Sequence, residues 1–250
     1  MTNPPSAMTD SPYDESYFQE TYEHETVRKL SMHWWSVQLY ARLAKRWLKR
    51  TSGTKFLDCG CSLGHTLQAM PKEADLSGLD ISEYAISKAQ ENLPSVHLDV
   101  VNLEQQWPDW LANSRFDVVL AKYVFEHLHE PAAVIRRLRS VLSDSGVLIF
   151  SVPNTESLGA RWKGDEWYAL SDPTHVSLLP PDNWLKMCEE AGFTIVESFS
   201  DGYWDLPYFR SIPKMIQAPL FLWTCAIACL TARPWLPFGF GENVIIVAKK

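Results

Sequence analysis

The sequence predicts an α/β fold built on a doubly wound, mostly parallel sheet. Residues 55–64 predict a short buried strand, a glycine-rich turn and the start of a helix, which together form the ligand-binding corner of such sheets. A second strand-like run, residues 76–80, ends in an acidic residue. Strand-like and helical segments then alternate along the chain, as they do in units of strand, helix and strand.

The turn after the first strand predicts a cofactor that contains a nucleoside. Gly60 and Gly64 lack a Cβ, so the chain can turn sharply and a ligand can approach the backbone. Asp80 ends the neighbouring strand-like run, where a carboxylate accepts hydrogen bonds from both hydroxyls of a ribose. The two features together indicate a ribose beside the turn.

Two common nucleotide motifs do not fit this turn. The dinucleotide pattern G-x-G-x-x-G fails at two of its three glycines, and the phosphate loop of NTPases fails because no Lys follows Gly64. The pattern that remains, D-x-G-x-S-x-G from Asp58 to Gly64, resembles the first motif of the class I S-adenosylmethionine-dependent methyltransferases. Ser62 stands where that family usually has a middle glycine. The cofactor carries no phosphate, which suits a loop without Lys or Arg.

The resemblance covers residues 50–200 and the final strand. It rests on further segments in the family's order, which are Leu79–Ser82, Phe116–Ala121, Glu126-His127, Gly146–Phe150, Asp172–Val176 and Ala191–Phe193. The later segments resemble the ubiquinone-type small-molecule methyltransferases. The resemblance implies a seven-stranded, Rossmann-like methyltransferase fold with N-terminal helices and S-adenosylmethionine as cofactor.

The resemblance also implies positions for the cofactor. Asp58, Gly60, Ser62 and Gly64 would shape the site for its methionine part, with Lys122 beside them. Asp80 and Ile81 would hold the ribose. Asn102 and Leu103 would lie near the adenine, although Asp99 is an alternative to Asn102. The spacing to Phe116-Asp117 favours Asn102.

Two histidines are candidates for acid–base catalysis. His127 and His175 both fall on loops at the expected mouth of the sheet, and His is the natural proton acceptor near neutral pH. The alternative is that His127, with Glu126, is a polar anchor that fixes its loop. Some ubiquinone-type members bind a divalent metal through E-x-x-E-H, but here Tyr123 replaces the first Glu. We therefore predict a site without a metal.

Composition places the chain among intracellular proteins that do not bind nucleic acid. The net charge is −7 over 250 residues, which argues against a partner bound through phosphate neutralisation. The five cysteines contain no C-x-x-C pair, so free thiols in a reducing cytosol are expected. No N-terminal signal is predicted, and we expect a cytoplasmic protein.

The chain divides into three parts. Residues 1–14 predict a disordered tail, residues 15–50 a cap of two helices in which Arg28 or Trp35 could cover the ligands, and residues 51–250 the methyltransferase domain. Within the domain, a helix is predicted from Pro131 to Gly146. The aromatic stretch from Pro153 to Pro181 predicts a long structureless loop over the mouth of the fourth and fifth strands.

An apolar insertion separates the last two strands, which should be neighbours. It spans about residues 203–241, and no charged residue occurs between Lys214 and Arg233. Eighteen uncharged residues reach the lower limit for a transmembrane helix. A single crossing would place the final strand on the wrong side of the membrane, and Pro219 is expected to shorten the helix. Three interpretations of residues 215–232 remain: a packed helical cap, a peripheral membrane contact or a dimer contact.

These observations favour methyl transfer to a small-molecule acceptor, at oxygen, on a lipophilic, lipid-linked or glycan-type substrate. A methyltransferase-like domain that binds without catalysis is the alternative, because Tyr123 and Asn102 depart from the family pattern. A nicotinamide-dependent oxidoreductase is disfavoured by the broken dinucleotide motif.

Overall fold

The structure, a computed structural model, describes Tyr13, Lys29 and residues 31–250. Its strands are β1 (Lys55–Cys59), β2 (Asp75–Asp80), β3 (His97–Val100), β4 (Phe116–Lys122), β5 (Leu142–Pro153), β6 (Thr194–Ser200) and β7 (Asn243–Lys249). Its α-helices are α1 (Met32–Thr51), α2 (His65–Gln68), α3 (Glu83–Asn92), α4 (Asp109–Ala112), α5 (Pro131–Ser140), α6 (Leu158–Lys163), α7 (Pro181–Glu190) and α8 (Lys214–Thr231). Three 3₁₀ turns span Phe125–His127, Gly164–Glu166 and Tyr168–Leu170.

The strands form one seven-stranded sheet in the order β3-β2-β1-β4-β5-β7-β6. The first five strands pair in parallel, and β7 lies antiparallel between β5 and β6. The predicted α/β fold is therefore confirmed. The strand order reverses between β1 and β4, and ligands of such sheets bind at this point beyond the carboxyl ends of the strands.

Helices cover both faces of the sheet because its central strands are apolar on both sides. Neighbouring residues of β1 show this: Leu57 packs with α5 and α7 on one face, and Phe56 packs with α1 on the other. Both side chains are fully buried. A parallel sheet buried on both faces needs such continuous apolar strands.

Helix α1 confirms the predicted helical spacing before the first strand. Ser31 caps it by accepting a hydrogen bond from the Trp34 amide at 3.1 Å, and Val37, Ala41, Ala44 and Leu48 are buried along one side. The first cap helix and Arg28 lie outside the described residues, as does the predicted tail except Tyr13. Trp35 packs against the core on the α1 face and does not line the cavity described below.

Three predicted features of secondary structure were wrong. Helix α5 ends at Ser140 and not at Gly146, because Leu142 already pairs with Phe116 of β4 and starts β5. The stretch 153–181 is not structureless, since α6 and two 3₁₀ turns occupy it. Helix α8 continues through Pro219, where proline removes the one hydrogen bond that an N–H at this position would donate to the carbonyl four residues earlier.

Candidate active site

One cavity of about 320 Å³ opens at the carboxyl ends of β1, β2 and β4. Its volume lies in the range of small-molecule sites. Most predicted site residues line it, namely Gly60, Ser62, Asp80, Ile81, Asn102, Leu103, Lys122, His127 and His175. Asp58 and Gly64 do not. Residues that the sequence placed far apart therefore share one space.

Asp80 is a buried carboxylate whose two oxygens both have backbone partners. The Ser62 amide donates to Oδ2 at 2.9 Å, and the Ser82 amide donates to Oδ1 at 3.0 Å. Burial raises the pKa of Asp80, while the hydrogen bonds from Ser82 and Ser62 act in the opposite direction. Each oxygen keeps a lone pair, so the carboxylate can also accept from a ribose hydroxyl.

The glycine-rich turn is held in a left-handed backbone conformation. Gly60 has φ 72° and Ser62 has φ 50°, a region that costs a non-glycine residue about 1–2 kcal/mol. A Cβ on Gly60 would lie 2.4 Å from Cγ2 of Val124. The family's usual glycine at position 62 is thus explained by backbone geometry, and Ser62 is strained in its place.

Asp58 and Gly64 act from behind the cavity wall. Asp58 is 2% exposed, and burial raises its pKa well above the usual range although Lys122 opposes the shift. Burial lowers the pKa of Lys122 to about 8, and Asp58 opposes that shift. Gly64 packs against α3, where a Cβ would lie 2.8 Å from Cδ1 of Leu93. Of these two charged residues, Lys122 is the one that lines the cavity.

The structure brings Asn102, and not Asp99, to the cavity. The Asn102 side chain accepts from the Glu104 amide at 2.9 Å. The Asp99 carboxylate instead accepts from Nε1 of Trp110 at 2.8 Å. Of the two candidates, Asn102 is therefore the one that lines the cavity, next to Leu103.

A loop from Asp172 to Ser177 brings the two candidate histidines together. The carbonyl of Glu126 accepts from the amides of Val176 and Ser177, both at 2.9 Å. The rings of His127 and His175 then lie 4.7 Å apart, centroid to centroid. Chain segments separated by almost 50 residues are joined by these two backbone hydrogen bonds.

The hydrogen bonds of both histidines leave Nε2 as the proton acceptor. The Thr174 hydroxyl donates its one hydrogen to Asp172 at 2.5 Å, so Nδ1 of His127 must be the donor in its 2.9 Å bond to Thr174. Nδ1 of His175 lies 2.6 Å from the Ala169 carbonyl and donates to it. Burial and the neighbouring His175 lower the pKa of His127 to about 4. His127 is therefore a weak base at neutral pH.

Glu126 is the cavity carboxylate that departs from the rule that buried polar groups are paired. The residue is 1% exposed and lines the cavity, yet neither carboxylate oxygen has a hydrogen-bond partner among the described residues. Burial raises the pKa of Glu126 to about 8. A protonated Glu126 can donate one hydrogen bond to a ligand and accept another.

The side chains of Glu126, His127 and His175 together could hold a divalent ion. One donor atom from each of Glu126, His127 and His175 lies within 4.8 Å of the others. Carboxylate and imidazole donors with oriented Nδ1 atoms are typical of metal sites. The prediction of a site without a metal is not tested by this geometry and stays a prediction.

Comparison with known proteins identifies the family. A model described as a methyltransferase domain matches residues 24–198. The chain belongs to this methyltransferase domain family. Ubiquinone biosynthesis O-methyltransferase from Bradyrhizobium sp. (strain ORS 278) is 27% identical over 67% of this chain and 71% of the relative. The protein of the same name from Thiobacillus denitrificans is 30% identical over 62% of this chain and 72% of the relative.

Solved methyltransferases share the fold. Magnesium protoporphyrin IX methyltransferase from Synechocystis PCC 6803, solved with bound S-adenosylhomocysteine, has 18% identity and a TM-score of 0.57, with 94% of this chain and 97% of that chain covered. The predicted class, a methyltransferase that uses S-adenosylmethionine, is confirmed.

The sequence analysis missed a polar network on the far wall of the methyltransferase cavity. Tyr123, which has φ 54°, accepts from Nδ2 of Asn243 at 3.0 Å, and Tyr168 donates to Oδ1 of Asn243 at 2.6 Å. Asp201 accepts from the same Nδ2 at 2.6 Å, and burial raises the pKa of Asp201 to about 6. No single local motif contains all of these residues, because Asn243 belongs to β7 and Tyr123 follows β4.

Proposed function

We propose that this methyltransferase transfers a methyl group from S-adenosylmethionine to an oxygen of a small molecule that is lipophilic, lipid-linked or of the glycan type. The observation that carries this proposal is the meeting of the Glu126, His127 and His175 side chains in the cavity that Asp80 also lines. An oxygen acceptor must lose a proton, so it needs such groups. The printed names of the relatives, O-methyltransferases, point the same way.

The cofactor occupies the side of the cavity formed by β1, β2 and β4 in this proposal. Asp80 accepts hydrogen bonds from the ribose, and Ile81 lies beside it. Asn102 and Leu103 contact the adenine. The turn of Gly60 and Ser62 surrounds the methionine part, and Lys122 pairs with its carboxylate. Asp58 and Gly64 support that turn from behind.

The reaction is an in-line displacement at the methyl carbon. The acceptor oxygen forms a bond to the methyl group, the bond from sulfur to methyl breaks, and its electron pair stays on sulfur to give S-adenosylhomocysteine. Alignment of the reactants can contribute roughly 7–11 kcal/mol. We assign the proton of the acceptor to Nε2 of His175, because burial and the neighbouring ring lower the pKa of His127 to about 4.

We also propose a cytoplasmic enzyme that contacts the membrane peripherally through residues 215–232. Helix α8 is the one helix in the described part of the chain that is long and apolar enough to cross a membrane. The strands on either side of it, β6 and β7, pair in one sheet. A single crossing of the membrane would put these two strands on opposite sides, where they could not pair. A contact with the membrane surface suits both facts.

The first test is the thermal shift of the purified protein with S-adenosylhomocysteine and, separately, with NAD. A ligand that binds the folded state raises the melting temperature. We expect S-adenosylhomocysteine to raise the melting temperature and NAD to leave it unchanged. Asp80→Ala should abolish it, because two hydrogen bonds to a charged carboxylate contribute about 3 kcal/mol or more. Asp75→Ala, at the exposed start of the same strand, is the control.

Release of S-adenosylhomocysteine with phenolic, lipid-linked and sugar acceptors then separates catalysis from binding alone. A protein that binds the cofactor but turns over none of these acceptors would favour the non-catalytic alternative. A shift with NAD and none with S-adenosylhomocysteine would overturn the assignment of the site residues.

A further inference from the structure

Helix α8 exposes apolar side chains and buries polar ones, which is the reverse of an ordinary surface helix. Its outward face is apolar: Met215 is 88% exposed, Leu220 64% and Trp223 50%. Ile216, Ile227 and Leu230 continue the same stripe at helical spacing. The polar residues Gln217 and Thr224 are buried instead. A large exposed apolar surface marks a site that another body covers.

The buried polar residues tie α8 to the loop before it. Oε1 of Gln217 accepts from the amides of Tyr208 and Phe209, and its Nε2 donates to the carbonyls of Phe209 and Ile212. Oγ1 of Thr224 accepts from the Tyr203 amide at 3.0 Å. These bonds determine the orientation of the helix, so its apolar stripe faces outward because of its own polar anchors.

The sequence around α8 is positively charged in an acidic protein. Between Leu206 and Gly241 there is no Asp or Glu, and the charged residues are Arg210, Lys214 and Arg233. Arg210 pairs with Glu166 from a different segment. Lys214 and Arg233 stand at the two ends of the helix and are exposed. An apolar stripe between cations, with a half-exposed Trp, is typical of helices that lie in a membrane interface.

We propose that the outward face of α8 docks on an anionic lipid bilayer and lies parallel to its surface. Apolar side chains enter the interface, and Lys214 and Arg233 contact anionic headgroups. A second copy of the chain suits the face less well. A two-fold contact would place the same cations against each other, and this segment has no carboxylate to neutralise them.

Docking also gives a route for the acceptor, and this step rests on the proposed function. The loop that Gln217 and Thr224 anchor contains Trp204, which lines the cavity. Tyr203 and Tyr208 of that loop pack against Phe221 of α8, with ring centroids 6.0 and 4.7 Å apart. A lipid-linked acceptor at the bilayer surface would therefore meet the wall of the cavity next to the docked helix.

Vesicle flotation of the full-length protein tests the proposal. Phosphatidylcholine vesicles with and without phosphatidylglycerol are compared at low and high salt. We expect binding to the anionic vesicles alone. Leu220→Ser with Trp223→Ser should lower the binding constant at least about tenfold. Lys214→Gln with Arg233→Gln should lower it about fivefold per charge, and only on anionic vesicles.

The matched control is Val100→Ser with Val196→Ser, which removes apolar side chains of 41% and 38% exposure elsewhere on the surface. The control should float like the parent, and all variants should keep the thermal shift with S-adenosylhomocysteine. Equal flotation of the α8 variants and the parent would overturn the proposal. So would a parent dimer, seen by light scattering, that the Leu220 and Trp223 substitutions make monomeric. A failure of the proposed function would be seen in other measurements, as a parent protein with no thermal shift with S-adenosylhomocysteine or no turnover of an acceptor.

Discussion

Two buried carboxylates in the same cavity differ in a way that separates the two halves of the site. Both oxygens of Asp80 accept backbone hydrogen bonds, whereas both oxygens of Glu126 lack a partner among the described residues. The Asp80 carboxylate therefore has a hydrogen-bond partner for each oxygen before any ligand binds. The structure around Glu126 is completed by a proton or by a ligand, since an unpaired buried charge is costly.

The half of the site that we assign to the cofactor is more preorganised than the half that we assign to the acceptor. The cofactor half is built from backbone groups of the β1 turn and the end of β2, which the sheet holds in place. The acceptor half is built from side chains of two loops that meet through the Glu126 carbonyl. We therefore expect substitutions in the cofactor half to change affinity and those in the acceptor half to change turnover or stability.

The largest expected effect is on turnover. His175→Ala should lower kcat by about 10²–10⁴, the usual contribution of a general base, while the Kd for S-adenosylhomocysteine stays unchanged. Steady-state kinetics and calorimetric binding measure the two quantities. His129→Ala, an exposed histidine close in sequence, is the control. Unchanged kcat in His175→Ala would remove this residue as the base.

Glu126→Gln should change the pH dependence of stability. The folded pKa of about 8 exceeds the usual 4.5, so the native protein binds the extra proton between these values and loses stability as pH rises from about 4.5 to 8. A tenfold difference in proton affinity between the folded and unfolded states corresponds to about 1.4 kcal/mol of unfolding free energy. The variant lacks this loss, so its stability relative to the parent should increase with pH in that window.

Denaturant unfolding of both proteins at pH 5, 7 and 9, in the presence of a chelator, measures the effect, with Glu104→Gln as the exposed control. Parallel pH profiles of parent and Glu126→Gln would show that Glu126 has a partner in solution. The comparison with Asp80 would then lose its basis.

Lys122→Met should weaken cofactor binding about tenfold or more, through the loss of a charged hydrogen bond to the carboxylate of the methionine part. Because burial lowers the pKa of Lys122 to about 8, affinity in the parent should also fall above that pH. Calorimetry with S-adenosylhomocysteine from pH 6 to 9 measures both effects. Lys55→Met, at the exposed start of β1, is the control, and an unchanged pH profile in Lys122→Met would contradict the assignment.

Ser62→Gly should stabilise the folded protein by about 1 kcal/mol, because glycine removes the cost of a left-handed side chain. Ser52→Gly is a matched control, since Ser52 has φ 54° at the end of α1, away from the cavity. Both variants should gain stability in denaturant unfolding, whereas only Ser62→Gly should alter cofactor affinity. Destabilisation by Ser62→Gly alone would indicate that the hydroxyl has a role that the structure does not show.

Metal removal should have the smallest effect. The raised pKa of Glu126, about 8, lets a proton neutralise it at neutral pH, so we expect turnover and cofactor binding to survive treatment with EDTA. Recovery of lost turnover by an added divalent ion would instead assign that ion to Glu126, His127 and His175.

The sequence predicted most of the residues that line the β1, β2 and β4 side of the cavity, because their signals are local. A turn of seven residues and the acid at the end of the next strand-like run indicate a ribose through residue types at short spacing. Spacing also favoured Asn102 over Asp99, and in the structure Asn102 lines the cavity whereas Asp99 does not. The predicted helix end at Gly146 was wrong because pairing of Leu142 with β4 outweighed local helical spacing.

The sequence alone specified the succession of the seven strands, the turn from Asp58 to Gly64, the acid at Asp80 and the apolar character of residues 215–232. Each of these depends on neighbouring residues or on regular spacing. Only the tertiary structure decided that His127 meets His175, that Glu126 lacks a partner among the described residues, and that Asn243 joins Tyr123 to Asp201. These contacts link segments separated by about 40 to 120 residues, and chain folding, not local propensity, selects them. The outward direction of the apolar stripe on α8 was decided in the same way, by the hydrogen bonds of its two buried polar side chains.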